Sequence, residues 1–362
     1  MTIQQLLKTA PVTTLLLASF IGLFVMQLVT GVDANNPSTE ALVKWGANAL
    51  PLTMMDDPWR LASSAFLHIG LMHLLFKGFA MYFFGQIAEP LFGSAKFLAL
   101  FLLAAIGGNL LNNYVTWQSI LDGTGQPGLS AGASGGIMGI GAALLIAALF
   151  KISVNGMVLN LKSLIFIMGI NLVYGFAVPG IDNAGHIGGA ITGLVIALAF
   201  AIGYRQCLAV AIQNAAIQQQ RTFNAYQTNY SYSAHDTPSY NSHYSGQYND
   251  QYDNQSPYDA TSIDQSPHID ANSTEQDTVV TNNETNASDI NANNSAESIT
   301  TINSSLDNSA AHDSGIEPEA LKKPSIIWQL LPWLAMLLIS IGFVWWWQDI
   351  HQQLLQVLKA IE

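Results

Sequence analysis

Two short stretches carry side chains whose types and positions could do chemistry. Gly132-Ala133-Ser134-Gly135-Gly136 stands where a polar loop, Asp122-Gly123-Thr124-Gly125-Gln126-Pro127-Gly128, gives way to an almost wholly apolar run over 137–150. The serine therefore begins a helix, and its hydroxyl lies beside helical N–H groups that have no intrahelical partner. Fifty-two residues later, Ala184-Gly185-His186-Ile187-Gly188-Gly189 opens a second apolar run on a histidine. A serine and a histidine at the heads of two helices are a weak nucleophile and a base able to activate it.

The elements that must position them are membrane helices. Half of the residues are hydrophobic and a tenth are charged, against about a quarter charged in soluble domains. Apolar stretches of roughly 18 residues or more place the chain among polytopic membrane proteins. Seven such segments are expected, over about 12–29, 69–92, 95–114, 134–150, 161–178, 186–203 and 326–347. Residues 33–64 read as a loop in which Trp59 and Arg60 mark the water–lipid boundary. In the second segment His73 and Lys77 are four apart and share one helix face. Polar groups at that depth cost a few kcal/mol and usually face a protein interior or a cavity; a structural histidine and a lysine snorkelling to the surface are the plainer account. Glu89, beside Pro90, reads as a cap or turn. Gly135 with Gly139, and Gly189 with Gly193, have the spacing that lets two helices approach closely in lipid.

The acidity is local. Residues 222–321 carry fifteen Asp or Glu and no Lys or Arg, which accounts for more than the whole net charge of −12 and leaves +3 elsewhere. This Tyr-, Asn- and Ser-rich stretch has too few aliphatic residues to bury a core, so 206–323 is expected to be a disordered linker between a 1–205 core and a 324–362 anchor. A tether of that length gives a low effective concentration for docking, which favours a passive anchor for the last helix. With Lys8, Lys96, Lys151, Lys162, Arg205, Arg221, Lys322 and Lys323 on one side of seven crossings, the N-terminus and the linker are expected in the cytoplasm. Ser134 and His186 then start their helices on the same, outer side. One cysteine, Cys207, allows no intrachain disulfide, and no zinc spacing, phosphate loop or basic stripe is present, so no metal, cofactor or nucleic acid is expected.

With these residues in view, the chain resembles the rhomboid intramembrane serine proteases over about residues 12–205. The likeness rests on Pro58-Trp59-Arg60, the block from Phe66-Leu67-His68 to His73-Leu74-Leu75-Phe76, Gly132-Ala133-Ser134-Gly135, and His186-Ile187-Gly188-Gly189 with Gly193. It implies an all-α polytopic membrane protein, a six-helix bundle with an added seventh helix, set in the bacterial inner membrane. By the same resemblance Ser134 is the nucleophile and His186 the general base and acid, without an Asp. His73 and the Ser134 N–H stabilise the oxyanion, with Gly132, Gly135 and Gly189 supporting the motifs. Substrates would be transmembrane segments of other membrane-anchored proteins. Where the family carries Asn four residues after the second-helix histidine, this chain has Lys77. An ammonium also donates to a developing anion, yet loss of one oxyanion donor can cost about 10²–10³ in rate. Gly185 replaces a common Ala, with little effect expected. A Ser134–Lys77 pair is the sharper alternative, and the intact His186 with its glycines argues for the histidine. The rival function is a rhomboid-like pseudoprotease that holds transmembrane clients uncut; a transporter would be expected to show paired intramembrane carboxylates, which are not visible.

Overall fold

A computed structural model describes residues 3–152, 160–177, 182–235 and 320–361. The architecture is all-α. A short helix α1 (Ile3–Thr9) leads into α2 (Pro11–Val29), and the connection to the next long helix holds α3 (Thr39–Lys44), a two-residue strand β1 (Asn48–Ala49), α4 (Leu50–Met55), α5 (Arg60–Ser63) and a 3-10 turn, Ser64–Phe66. Then follow α6 (Leu71–Phe92), α7 (Ser94–Leu121), β2 (Leu129–Ser130), α8 (Ser134–Leu149), α9 (Leu161–Ala177), α10 (Asn183–His235) and α11 (Ile326–Ile361). Among the described residues, α2, α6, α7, α10 and α11 are long and apolar enough to cross a membrane, while α8 and α9 are shorter, at 16 and 17 residues. The chain is an integral, multi-pass membrane protein.

Local chemistry sets the helix ends. A single residue, Gly93 at φ +81°, separates α6 from α7, a left-handed turn that glycine makes without penalty. α2 begins with Pro11, whose missing N–H is one fewer orphan to satisfy, and its preceding Ala10 has no side chain to cap the rest. Glu89 near the end of α6 does so instead. It accepts from the Val12 and Thr13 N–H groups at 2.9 and 2.7 Å, from the Thr13 hydroxyl at 2.8 Å and from the Ser94 hydroxyl at 2.7 Å. Four donors and a positive helix end offset the burial of this carboxylate, which is 1 % exposed. Glu89 is thus a cap, as its place beside Pro90 suggested, but for a neighbouring helix.

Three helices meet along small residues. A side chain at Gly189 or Gly193 of α10 would run into the backbone of Gly135 or Gly139 of α8, and one at Gly188 would meet the Gly107 carbonyl of α7 at 2.6 Å. The main core, with Phe20, Phe97, Phe101, Ile140, Leu144 and Ile196, surrounds this seam.

Three expectations are corrected. The 33–64 segment is folded rather than a simple loop, because Arg60 pins it from inside: buried at 7 % exposure, it donates to the Val43 and Ala47 carbonyls at 2.6 and 3.2 Å and bridges Asp57 at 3.0 Å. Trp59, which donates to Asp57, is the exposed member of that pair. These bonds from Trp59 and Arg60 hold the Asp57 carboxyl below the usual range. The helix expected to stop near 203 continues to His235, so 206–235 is helical; 236–319 lies outside the described residues. Finally, α11 is no loose anchor. Trp347 donates to the Thr53 carbonyl at 2.9 Å, His351 Nδ1 meets the Met54 carbonyl at 2.7 Å, and Trp117 donates to Gln353 at 3.0 Å. Ile350 and Leu354 complete a second core with Leu50, Met54, Leu61, Leu110 and Trp117. Four residues before α11, Lys322 exchanges two hydrogen bonds with Asn214 of α10, of 2.8 and 2.9 Å. Residues 1–218 with 290–362 form this compact unit; a second, 219–289, is described only as the end of α10.

Candidate active site

Ser134 is the first residue of α8 and half-buried, as its place before the apolar run predicts. His186 lies in the first turn of α10, three residues later in the helix than expected, and is 5 % exposed. The contact of Gly189 with Gly135 brings the heads of these two helices together. His73 occupies the first turn of α6, with Lys77 one turn on; both are half-buried. Four residues apart, His73 and Lys77 share one face of α6. Lys77 is thus half-buried on the His73 face rather than exposed.

The orientation of His73 follows from one bond. Its Nδ1 accepts from the Ile69 N–H at 3.2 Å, which leaves the ring proton on Nε2 as a donor. That edge faces the segment before Ser134: a methyl group on Gly132 would lie 2.7 Å from His73 Cε1 and 3.1 Å from Nε2. Gly132 also has φ +136°, and its N–H donates to the Ser64 carbonyl at 2.8 Å. Only glycine meets both demands. Behind His73, the His68 ring packs 5.4 Å away and against Phe20 at 5.0 Å. Burial pushes the His68 imidazole down to about 4, so it is neutral at pH 7 and acts as an aromatic wall.

Sequence reasoning missed the polar residues beneath this site. Asn109, Asn112 and Asn113 fall on one face of α7. Asn109 Nδ2 donates to the Leu61 carbonyl and to Ser64 Oγ, each at 2.8 Å. Asn113 donates to Asn48 at 2.9 Å, and Asn48 to Ser130 at 2.9 Å. Asn112 reaches Asp182 at 2.8 Å. The available signal was three amides at i, i+3 and i+4 in an otherwise apolar helix. Asp182 caps α10: its Oδ1 accepts from the Gly185 N–H at 2.7 Å. Burial pushes its carboxyl up, against the pull of the Gly185 N–H and of the Asn112 and Ser130 side chains. A side chain at Gly185 would press on this carboxylate, which is a local reason for glycine there. His186 Nδ1 is buried without a hydrogen-bond partner among the described residues.

Residues 56–202 match the rhomboid domain. The chain carries a rhomboid domain. It is 37 % identical over 184 residues to Rhomboid protease GluP of Bacillus subtilis (strain 168), covering 51 % of this chain and 34 % of that protein. With Rhomboid protease AarA of Providencia stuartii the identity is 34 % over 175 residues, 44 % of this chain and 62 % of the relative. RHOMBOID-like protein 1 of Arabidopsis thaliana is 32 % identical over 189 residues, 51 % and 46 % of the two chains. The rhomboid match thus spans about a third to three-fifths of these relatives' own lengths. The domain match over residues 56–202 contains Ser134, His186, His73 and Lys77, and it stops short of α11 and of most of α10.

Proposed function

We propose that this rhomboid is an intramembrane serine endopeptidase that cleaves transmembrane segments of membrane-anchored proteins. The observation that carries the reading is the meeting of α8 and α10 at Gly135 and Gly189, which sets a serine and a histidine at adjoining helix heads while His73 is turned toward the serine's loop. Ser134 Oγ attacks the scissile carbonyl carbon as His186 takes its proton, giving a tetrahedral intermediate. His186 then hands that proton to the leaving amine. Water, deprotonated by His186, attacks the resulting acyl-serine, and the acid is released as Ser134 regains its proton. The Ser134 N–H, an orphan donor at a helix start, and His73 Nε2–H stabilise the oxyanion. Lys77, in place of the family's Asn, adds positive charge beside it. The Asp182 carboxylate bonds to Gly185 and Asn112 and not to the His186 ring, which supports a dyad.

The charge distribution supports an orientation with the N-terminus and the linker in the cytoplasm and the site toward the outer face of a bacterial inner membrane. The position of Lys77 favours one second reading, a client-binding pseudoprotease. Reconstitution in liposomes with a single-span test substrate separates the two. Cleavage by wild type and none by Ser134→Ala is the expected result, with Lys77→Asn changing the rate but not the cleavage site. A silent wild type beside an active Lys77→Asn variant would establish client binding instead.

A further inference from the structure

The first turn of α10 holds the histidine, yet little holds that turn. Its residues are Asn183, Ala184, Gly185 and His186, and the Asn183 side-chain oxygen is buried without a partner among the described residues. Small residues suit the seam that begins at Gly188 and Gly189, but they supply no side-chain contact to fix where the helix starts. Asp182 supplies it twice, once by capping the Gly185 N–H and once through Asn112 of α7. The same face of α7 also holds the serine's side of the site. Asn113 and Asn109 reach Asn48 and Ser64, Asn48 bonds Ser130 of β2, and Ser64 accepts from Gly132, two residues before Ser134.

We propose that Asp182 is a positioning residue: with Asn112 it ties the helix start that carries His186 to the α7 asparagines that hold the Ser134 loop, fixing base against nucleophile. The inference rests on the protease reading above. What matters is an acceptor oxygen at this point, since His186 itself makes no bond to Asp182's side chain. Asparagine caps helices as well as aspartate does, and its Oδ1 accepts from the same two donors. Misplacement of a catalytic group by about 1 Å can cost on the order of 10²-fold.

The test compares wild type, Asp182→Ala, Asp182→Asn and Asn112→Leu, each in liposomes, by steady-state cleavage of the single-span substrate and by amide exchange of residues 183–188. Asp182→Ala is expected to lower kcat about 10- to 100-fold with KM little changed and to speed exchange in the first turn. Asp182→Asn restores both to near wild type, and Asn112→Leu loses kcat without further loss when combined with Asp182→Ala. Unchanged kcat in Asp182→Ala, or an Asp182→Asn variant as slow as Asp182→Ala, overturns the proposal. Exchange is read whether or not substrate is cut. Should wild type cleave nothing, the protease reading fails, while unaltered exchange in Asp182→Ala would separately sink the positioning role.

Discussion

The two packed regions of this protein are held by opposite means. Along α7, α8 and α10, glycines and alanines let backbones touch, and the polar side chains gather toward the heads of α8 and α10. Between α11, α4 and α7, bulky side chains fill the space, with Trp347 and His351 meeting the last carbonyls of α4. In lipid, a large apolar side chain gains little by leaving the hydrocarbon for a protein neighbour, so close backbone approach and hydrogen bonds must hold helices together. The glycine seam is that solution and gives the tolerance that the proposed two-residue site needs. The second core sits where Trp and His side chains can satisfy the carbonyls of Thr53 and Met54 near the end of α4, and it braces the folded 33–64 segment whose Ser64 carbonyl holds Gly132.

Breaking the seam should do the most damage. Gly189→Val forces a branched side chain into the Gly135 backbone, which has no room to yield; we expect loss of cleavage and of a cooperative thermal transition in detergent. Retention of both would show that the seam is looser than drawn. Removing 326–362 leaves the seam intact, so the truncated protein should still fold, with a lower Tm and slower cleavage as the braced segment loosens. Full activity after truncation would make α11 a bystander to catalysis. Arg60→Leu strips the Val43 and Ala47 carbonyls of their charged donor and should cost about 2–3 kcal/mol in stability, measured by denaturation in mixed micelles. Smallest is Trp347→Phe, which keeps the ring and removes one bond to Thr53, for about 1 kcal/mol in the same assay.

The contrast also explains what could be read from sequence. Ser134 and His186 were legible as candidates because each stands where polarity stops and an apolar run begins, and because the glycines after them repeat at four. Gly132 was legible as motif but not as the residue that makes room for the His73 ring. Asp182 was passed over because a lone carboxylate before a helix is ordinary; its bond to Asn112 joins residues 70 apart in sequence. Arg60 looked interfacial because hydropathy records only that a charge flanks an apolar run, whereas two carbonyls from the same segment draw it inside. The docking of α11 was misjudged for an entropic reason. The long intervening stretch weighs against contact, and the hydrogen bonds to Thr53, Met54 and Trp117 that outweigh it are made by residues with no periodic signature.

The claim on which all of this depends is that Ser134 is a nucleophile activated by His186. The direct measurement is labelling of the reconstituted protein with a fluorophosphonate, mapped by peptide mass spectrometry, in wild type, Ser134→Ala and His186→Ala. The account predicts a phosphonylated Ser134 in wild type, no label in Ser134→Ala and strongly reduced label in His186→Ala. Label on another residue, or undiminished labelling of Ser134 without His186, would contradict it.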